Sequence, residues 1–127
     1  MREEKKCDLV IALTHNRTPN DLMLAEQVGD IDFILGGHDH IYSVERVNGT
    51  YMINSGCDFK EFNVLDLVPL ENLASTEVDM LIKNDEVYKN RYKFFAERVT
   101  VDSSWEPDAE MNEHIMYYDK ILEKTFS

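Results

Sequence analysis

Two imidazoles spaced two residues apart behind a pair of glycines, in Leu35-Gly36-Gly37-His38-Asp39-His40, are the part of this sequence best suited to chemistry. The glycines let the backbone turn tightly and come close to a bound group. Each ring can then offer a neutral nitrogen to a metal ion. A third imidazole, His15, closes an earlier apolar run in Leu13-Thr14-His15. The chemistry open to such a set is metal binding. Asp39 stands between two candidate ligands, and alternation turns it away from them, towards solvent or a supporting role. His114, beside Glu113 on the polar flank of a late helix, reads as a surface histidine.

The elements that must carry these rings are legible in the hydrophobic pattern. Cys7 to Leu13 is short, β-branched and almost continuously apolar, the pattern of a strand buried on both faces in the middle of a sheet. Before it, Arg2 to Lys6 has the charge of a last helical turn and no N-cap, so the chain is expected to be cut from a longer one. Thr18-Pro19-Asn20-Asp21 predicts a helix start, with Thr18 as N-cap, Pro19 at the first helical position and Asp21 as the acid of a capping box. Leu22, Leu24, Ala25 and Val28 make its apolar face, and Gly29 ends it. Ile31 to Leu35 is the next strand, stopped by Gly36-Gly37. Strand, helix, strand in this order is a βαβ unit with parallel strands. Ligands of open α/β sheets lie beyond the carboxyl ends of such strands, so His15, His38 and His40 are expected to meet at one edge.

Further on, Tyr42 to Val47, Asn48-Gly49 and Thr50 to Asn54 predict a β-hairpin. Phe62 to Val68 and Tyr92 to Val101 read as strands, with apolar members that include Phe62, Val64 and Leu67. Leu70 to Asn84 reads as loop with a strand at Val78 to Ile82. Pro107 and Asp108 open a terminal helix with Met111, Ile115, Tyr118 and Leu122 on one face. Tyr88, Tyr92, Phe94 and Phe95 are expected in the core rather than on a base-stacking platform.

Composition narrows the function classes. At 127 residues, with 43% hydrophobic and 30% charged, the chain can pack a core and is no disordered segment. A net charge of −12 argues against a partner held by its phosphate backbone, which needs clustered Lys and Arg. No apolar run approaches the roughly 20 residues of a membrane span. The 2 cysteines, Cys7 and Cys57, lie in or beside strand-like runs and read as unpaired core thiols. With no leader-like segment in the chain, they favour a cytoplasmic setting.

The segment CDLVIALTHNRTPNDLMLAEQVGDIDFILGGHDH, Cys7 to His40, closely resembles the calcineurin-like metallophosphoesterases of the 5′-nucleotidase group. In that family a strand ending in Thr-His leads through a helix and a strand to a Gly-Gly-His-x-His loop. Gly49 to Leu67, with Asn54-Ser55-Gly56, is similar to the strands that back the site, and Arg98 to Leu122 to the closing strand and helix. The resemblance implies that residues 1–127 are the carboxy-terminal part of an α/β catalytic domain. The expected form is part of a β-sandwich flanked by helices: a βαβ unit, then mainly antiparallel strands and a terminal helix.

The resemblance further implies hydrolysis of phosphomonoesters, with nucleoside 5′-monophosphates foremost, by two divalent cations. Imidazole ligands suit Zn, Mn or Fe better than Mg. His15 and His38 would bind one ion and His40 the other. The first helix would turn its positive end to the phosphate, Arg17 would touch substrate or a nearby carboxylate, and Asn54 lies near the site or simply turns the chain after its strand. The family's Asp-x-His, Gly-Asp and Gly-Asn-His motifs all precede the Thr-His strand. None is found here in that role, since the lone Gly-Asp pair is Gly29-Asp30 inside the βαβ unit. Without the bridging aspartate, three imidazoles cannot hold two cations against their mutual repulsion. The chain alone is therefore expected to bind at most one ion, weakly, and to be inactive, with an exposed sheet edge that promotes self-association. The alternatives are a phosphoesterase of cyclic nucleotides or nucleotide sugars, and a non-catalytic module that keeps the fold.

Overall fold

The structure, a computed structural model, describes residues 2–83, 87–88 and 91–126. Helix α1 (Arg2–Lys5) leads to β1 (Ile11–Leu13), α2 (Thr18–Gln27) and β2 (Phe33–Gly36). The hairpin β3 (Tyr42–Val47) and β4 (Thr50–Ser55) follows, then β5 (Glu61–Pro69), a 3₁₀ turn at Leu70–Asn72 and α3 (Ser75–Lys83). Strands β6 (Val87–Tyr88) and β7 (Tyr92–Thr100) and helix α4 (Ala109–Phe126) complete the chain.

The expected α/β architecture is present. One sheet runs β1-β2-β4-β3, with β1, β2 and β4 parallel and β3 antiparallel to β4. The other runs β5-β7-β6, antiparallel throughout. Asn48 and Gly49 both take positive φ at the hairpin turn, as the twist of a two-residue connection requires. Two apolar clusters hold the layers. Ala25 on α2 packs on Ile34 and Met52, and Phe33, Ile53 and Tyr88 pack between the sheets with Leu65, Leu67 and Phe94.

Several local expectations are corrected. The first strand is not interior: β1 has three residues, stands at the edge of its sheet, and leaves Leu13 86% exposed. Its ladder starts late because the Asp32 carboxylate takes the Val10 N–H at 2.7 Å. Val78 to Ile82 is helical within α3, not a strand, and Glu77 on that helix pairs with Lys93 at 3.3 Å; Asn84 lies outside the described residues. Helix α2 ends at Gln27, ahead of Gly29. Met111, Ile115, Tyr118 and Leu122 share a face of α4, yet all are exposed. Phe62, Val64 and Phe95 are exposed too, because β5 and β7 turn Leu65, Leu67 and Phe94 to the other sheet instead. Tyr88, by contrast, is buried as expected, its hydroxyl donating to Asp32 Oδ1 at 2.8 Å. Both cysteines are free and half-buried.

Candidate metal centre

The carboxyl ends of β1 and β2 lie side by side, in register Leu13 to Leu35, and Thr14 extends the pairing by donating its N–H to the Leu35 carbonyl at 3.0 Å. The next residue on one strand is His15, and three residues on along the other is His38. Their rings stand edge to face, centroids 5.2 Å apart and planes at 88°. Gly37 lies beside the His15 ring: a Cβ there would be in ordinary contact, 3.6 Å from His15 Nδ1. Two imidazoles sharing one tetrahedral ion about 2.1 Å from each nitrogen would hold their centroids roughly 5 Å apart. His15 and His38 are thus the residues that could offer nitrogens to one transition-metal cation. Among the described residues no further His, Cys, Asp or Glu completes a group of three able to hold a metal.

His40 stands outside this pair, exposed, with its charge felt by Asp58. The loop after β4 brings Asp58 there through left-handed backbone at Gly56, Asp58 and Phe59. The Asp58 carboxyl is held below its usual range, first by the hydrogen bond from the Cys57 thiol, then by Lys60, and least by His40. The same hydrogen bond pushes the Cys57 thiol up.

Asp39 does turn away from the rings, but not to solvent. One of its oxygens, Oδ2, accepts both the N–H and the hydroxyl of Thr18, each at 2.7 Å. Those two bonds, the backbone one first, lower its pKa, with His38 and Arg17 adding smaller pulls. Thr18 is thus not the N-cap of α2. That place falls to Arg17, whose side chain makes no cap hydrogen bond. The expectation that the helix end faces a phosphate is corrected with it. Thr18 N–H serves Asp39, Pro19 has no N–H, and Asn20 and Asp21 donate to the Arg17 carbonyl. Arg17 itself is exposed beside Asp39.

Asp21 is not a capping acid either. Its side chain is 1% exposed and accepts from Thr14 Oγ1 at 3.0 Å and Asn16 Nδ2 at 3.1 Å. Asn54, 4% exposed, lies within β4 opposite Gly36, so it is no turn residue. Sequence reasoning missed Asp21 and Asp58 as members of this region. Asp21 carried a competing local signal, the Thr-Pro-Asn-Asp start, and Asp58 carried none.

Comparison with known proteins bears on this geometry. No family model matches the chain. It is 54% identical over 43 residues to an apyrase of Tabanus yao, which spans 33% of this chain and 8% of that protein. It is 50% identical over 50 residues to the trifunctional nucleotide phosphoesterase YfkN of Bacillus subtilis, across 38% of this chain and 3% of that one. Among solved structures, the sulfate thiohydrolase SoxB of Thermus thermophilus superposes with a TM-score of 0.64 at 23% identity, covering 91% of this chain and 19% of its own. A putative 5′-nucleotidase of Staphylococcus aureus superposes at 0.53 with 17% identity, covering 86% and 22%. The two structures speak for the fold alone, and the chain spans less than a quarter of each protein it matches.

Proposed function

We propose that this chain, whose histidine motifs resemble those of the 5′-nucleotidase-type metallophosphoesterases, is part of a two-metal hydrolase of phosphomonoesters, with nucleoside 5′-monophosphates as the leading substrates. The chain covers only a small share of its relatives, so the activity belongs to the longer protein. One observation carries the reading: His15 and His38, from neighbouring parallel strands, stand at a separation that one cation can bridge. The two sequence relatives, an apyrase and a trifunctional nucleotide phosphoesterase, favour a nucleotide substrate.

In this proposal His15 and His38 hold one ion, and His40, set apart from them, holds the other. Zn, Mn or Fe suits these nitrogens better than Mg. When bound, the ions would supply counter-charge for the phosphate and a water of lowered pKa. Arg17, exposed beside the loop, offers its guanidinium to a phosphate oxygen. Asn54, buried behind Gly36, supports the loop from below.

With two imidazoles and no third ligand among the described residues, the chain by itself takes up at most one ion, weakly, and does not turn over substrate. Zinc titration by calorimetry tests this. One Zn should bind, His15→Ala or His38→Ala should weaken binding by roughly tenfold or more, and His40→Ala should leave it nearly intact. Unchanged affinity in both of the first two variants would overturn the assignment. So would metal-dependent phosphatase turnover by the chain that His38→Ala leaves untouched.

A further inference from the structure

We infer that Asp21 is the positioning residue of this centre: one buried carboxylate that holds the His15 segment and the backbone leading to His38 in mutual register. Its functional meaning rests on His15 and His38 being ligands, but the positioning itself does not.

The two oxygens of Asp21 bind the residues on either side of His15. Oδ2 accepts from Thr14 and Oδ1 from Asn16, so the tripeptide is tied at both ends from the first turn of α2. The same carboxylate lies against the other strand. A Cβ on Gly36 would stand 2.9 Å from Asp21 Oδ2 and 2.6 Å from Asn54 Oδ1, so Asp21 rests on the backbone two residues before His38. A carboxylate is costly to bury without a cation, and the side-chain partners of Asp21 are neutral donors. A fold keeps such a group where geometry needs it. Here its place is the junction of the two ring-bearing loops, and nothing in the packing of α2 onto the sheet, which Ala25 performs, calls for a charge.

Asp21 touches neither ring, so its action is on their placement. The test uses the metal-free chain first. The nuclear Overhauser effect between the His15 and His38 ring protons reports their approach. Asp21→Asn replaces one acceptor by a donor, and the double change Thr14→Val with Asn16→Ala cuts both tethers while leaving Asp21 in place. In variants shown by circular dichroism to be folded, the cross-peak should weaken, and Zn affinity should fall by roughly tenfold. If Asp21→Asn does not fold, the double variant carries the test. A cross-peak at full strength in the folded variants overturns the inference. A weakened cross-peak with Zn affinity unchanged, both there and in His15→Ala, upholds the positioning and instead refutes His15 as a ligand.

Discussion

Gly36→Ala adds a single methyl group at the most crowded point behind the candidate centre. Gly36 does not have a positive φ, so alanine meets no backbone strain, and in open space it would stabilise a strand slightly. The sign is decided by contacts. The new Cβ would lie 2.6 Å from Asn54 Oδ1, 2.9 Å from Asp21 Oδ2 and 3.3 Å from Asn54 Cγ. Ordinary contact would need Asn54 Oδ1 to retreat by about 0.8 Å and Asp21 Oδ2 by about 0.5 Å, and neither has solvent to retreat into. A shift of that size stretches the 3.0 Å bond from Thr14 Oγ1 to Asp21 towards the limit of hydrogen bonding. Overpacking costs about 1–3 kcal/mol, and a weakened hydrogen bond to a buried charge adds about 1 kcal/mol or more. The two together predict a loss of about 2–4 kcal/mol, or roughly 8–15 °C in Tm for a domain of this size. Thermal and urea melts followed by circular dichroism measure it. Gly29→Ala, with nothing within 4 Å of the added atom, is the internal control and should change stability little. A Gly36→Ala chain as stable as the parent would refute the claim that Asp21 and Asn54 are fixed against this strand.

Asp39→Asn probes the brace between the histidine loop and α2. The Asp39 pKa is lowered in the folded chain, so its contribution is full above its unfolded value and is lost as pH falls through the lower folded one. The Tm gap between parent and variant should therefore be present at neutral pH and close below about pH 4; a gap that does not vary with pH would contradict the assignment. Tyr88→Phe removes the hydroxyl that donates to buried Asp32 Oδ1 and should cost about 1.5–3 kcal/mol in urea unfolding. A loss below about 0.5 kcal/mol would mean that hydrogen bond does not secure β6. Leu13→Lys alters an exposed residue of an edge strand, so stability should move by less than about 0.5 kcal/mol while self-association in sedimentation runs declines. Identical sedimentation would show that β1 is not the contact.

The parts of the fold legible in the sequence are those with a strong local signature. Phe33-Ile34-Leu35 is apolar enough to be a central strand, and Asn48-Gly49 permits little but the turn it makes. The His15 and His38 juxtaposition followed from the βαβ topology, because parallel neighbours place their carboxyl ends together. What was not legible depends on distant partners. Cys7 to Leu13 looks interior because hydrophobicity reveals a preference for burial but not which surface supplies it. Thr18 and Asp21 look like a capping pair because capping and tertiary bracing use the same short polar side chains. Asp39, one loop away, supplies the carboxylate that Thr18 needs, and Asp21 is freed to face inward. Val78 to Ile82 is β-branched at both ends, and that masked the three- and four-residue spacing of Val78, Leu81 and Ile82 that suits a helix.

The β2 strand is fastened twice, by Asp32 to Tyr88 and Val10 near its start and by Asn54 and Asp21 around Gly36 at its finish. A strand pinned at both ends cannot slip by one residue without tearing a charged group from its seat. Its amides should then be among the last in the chain to trade hydrogen for deuterium, opening only when the whole molecule does. The His38 loop is thus anchored to the most persistent element, whereas His15 leaves from a three-residue edge strand and owes its hold to Asp21.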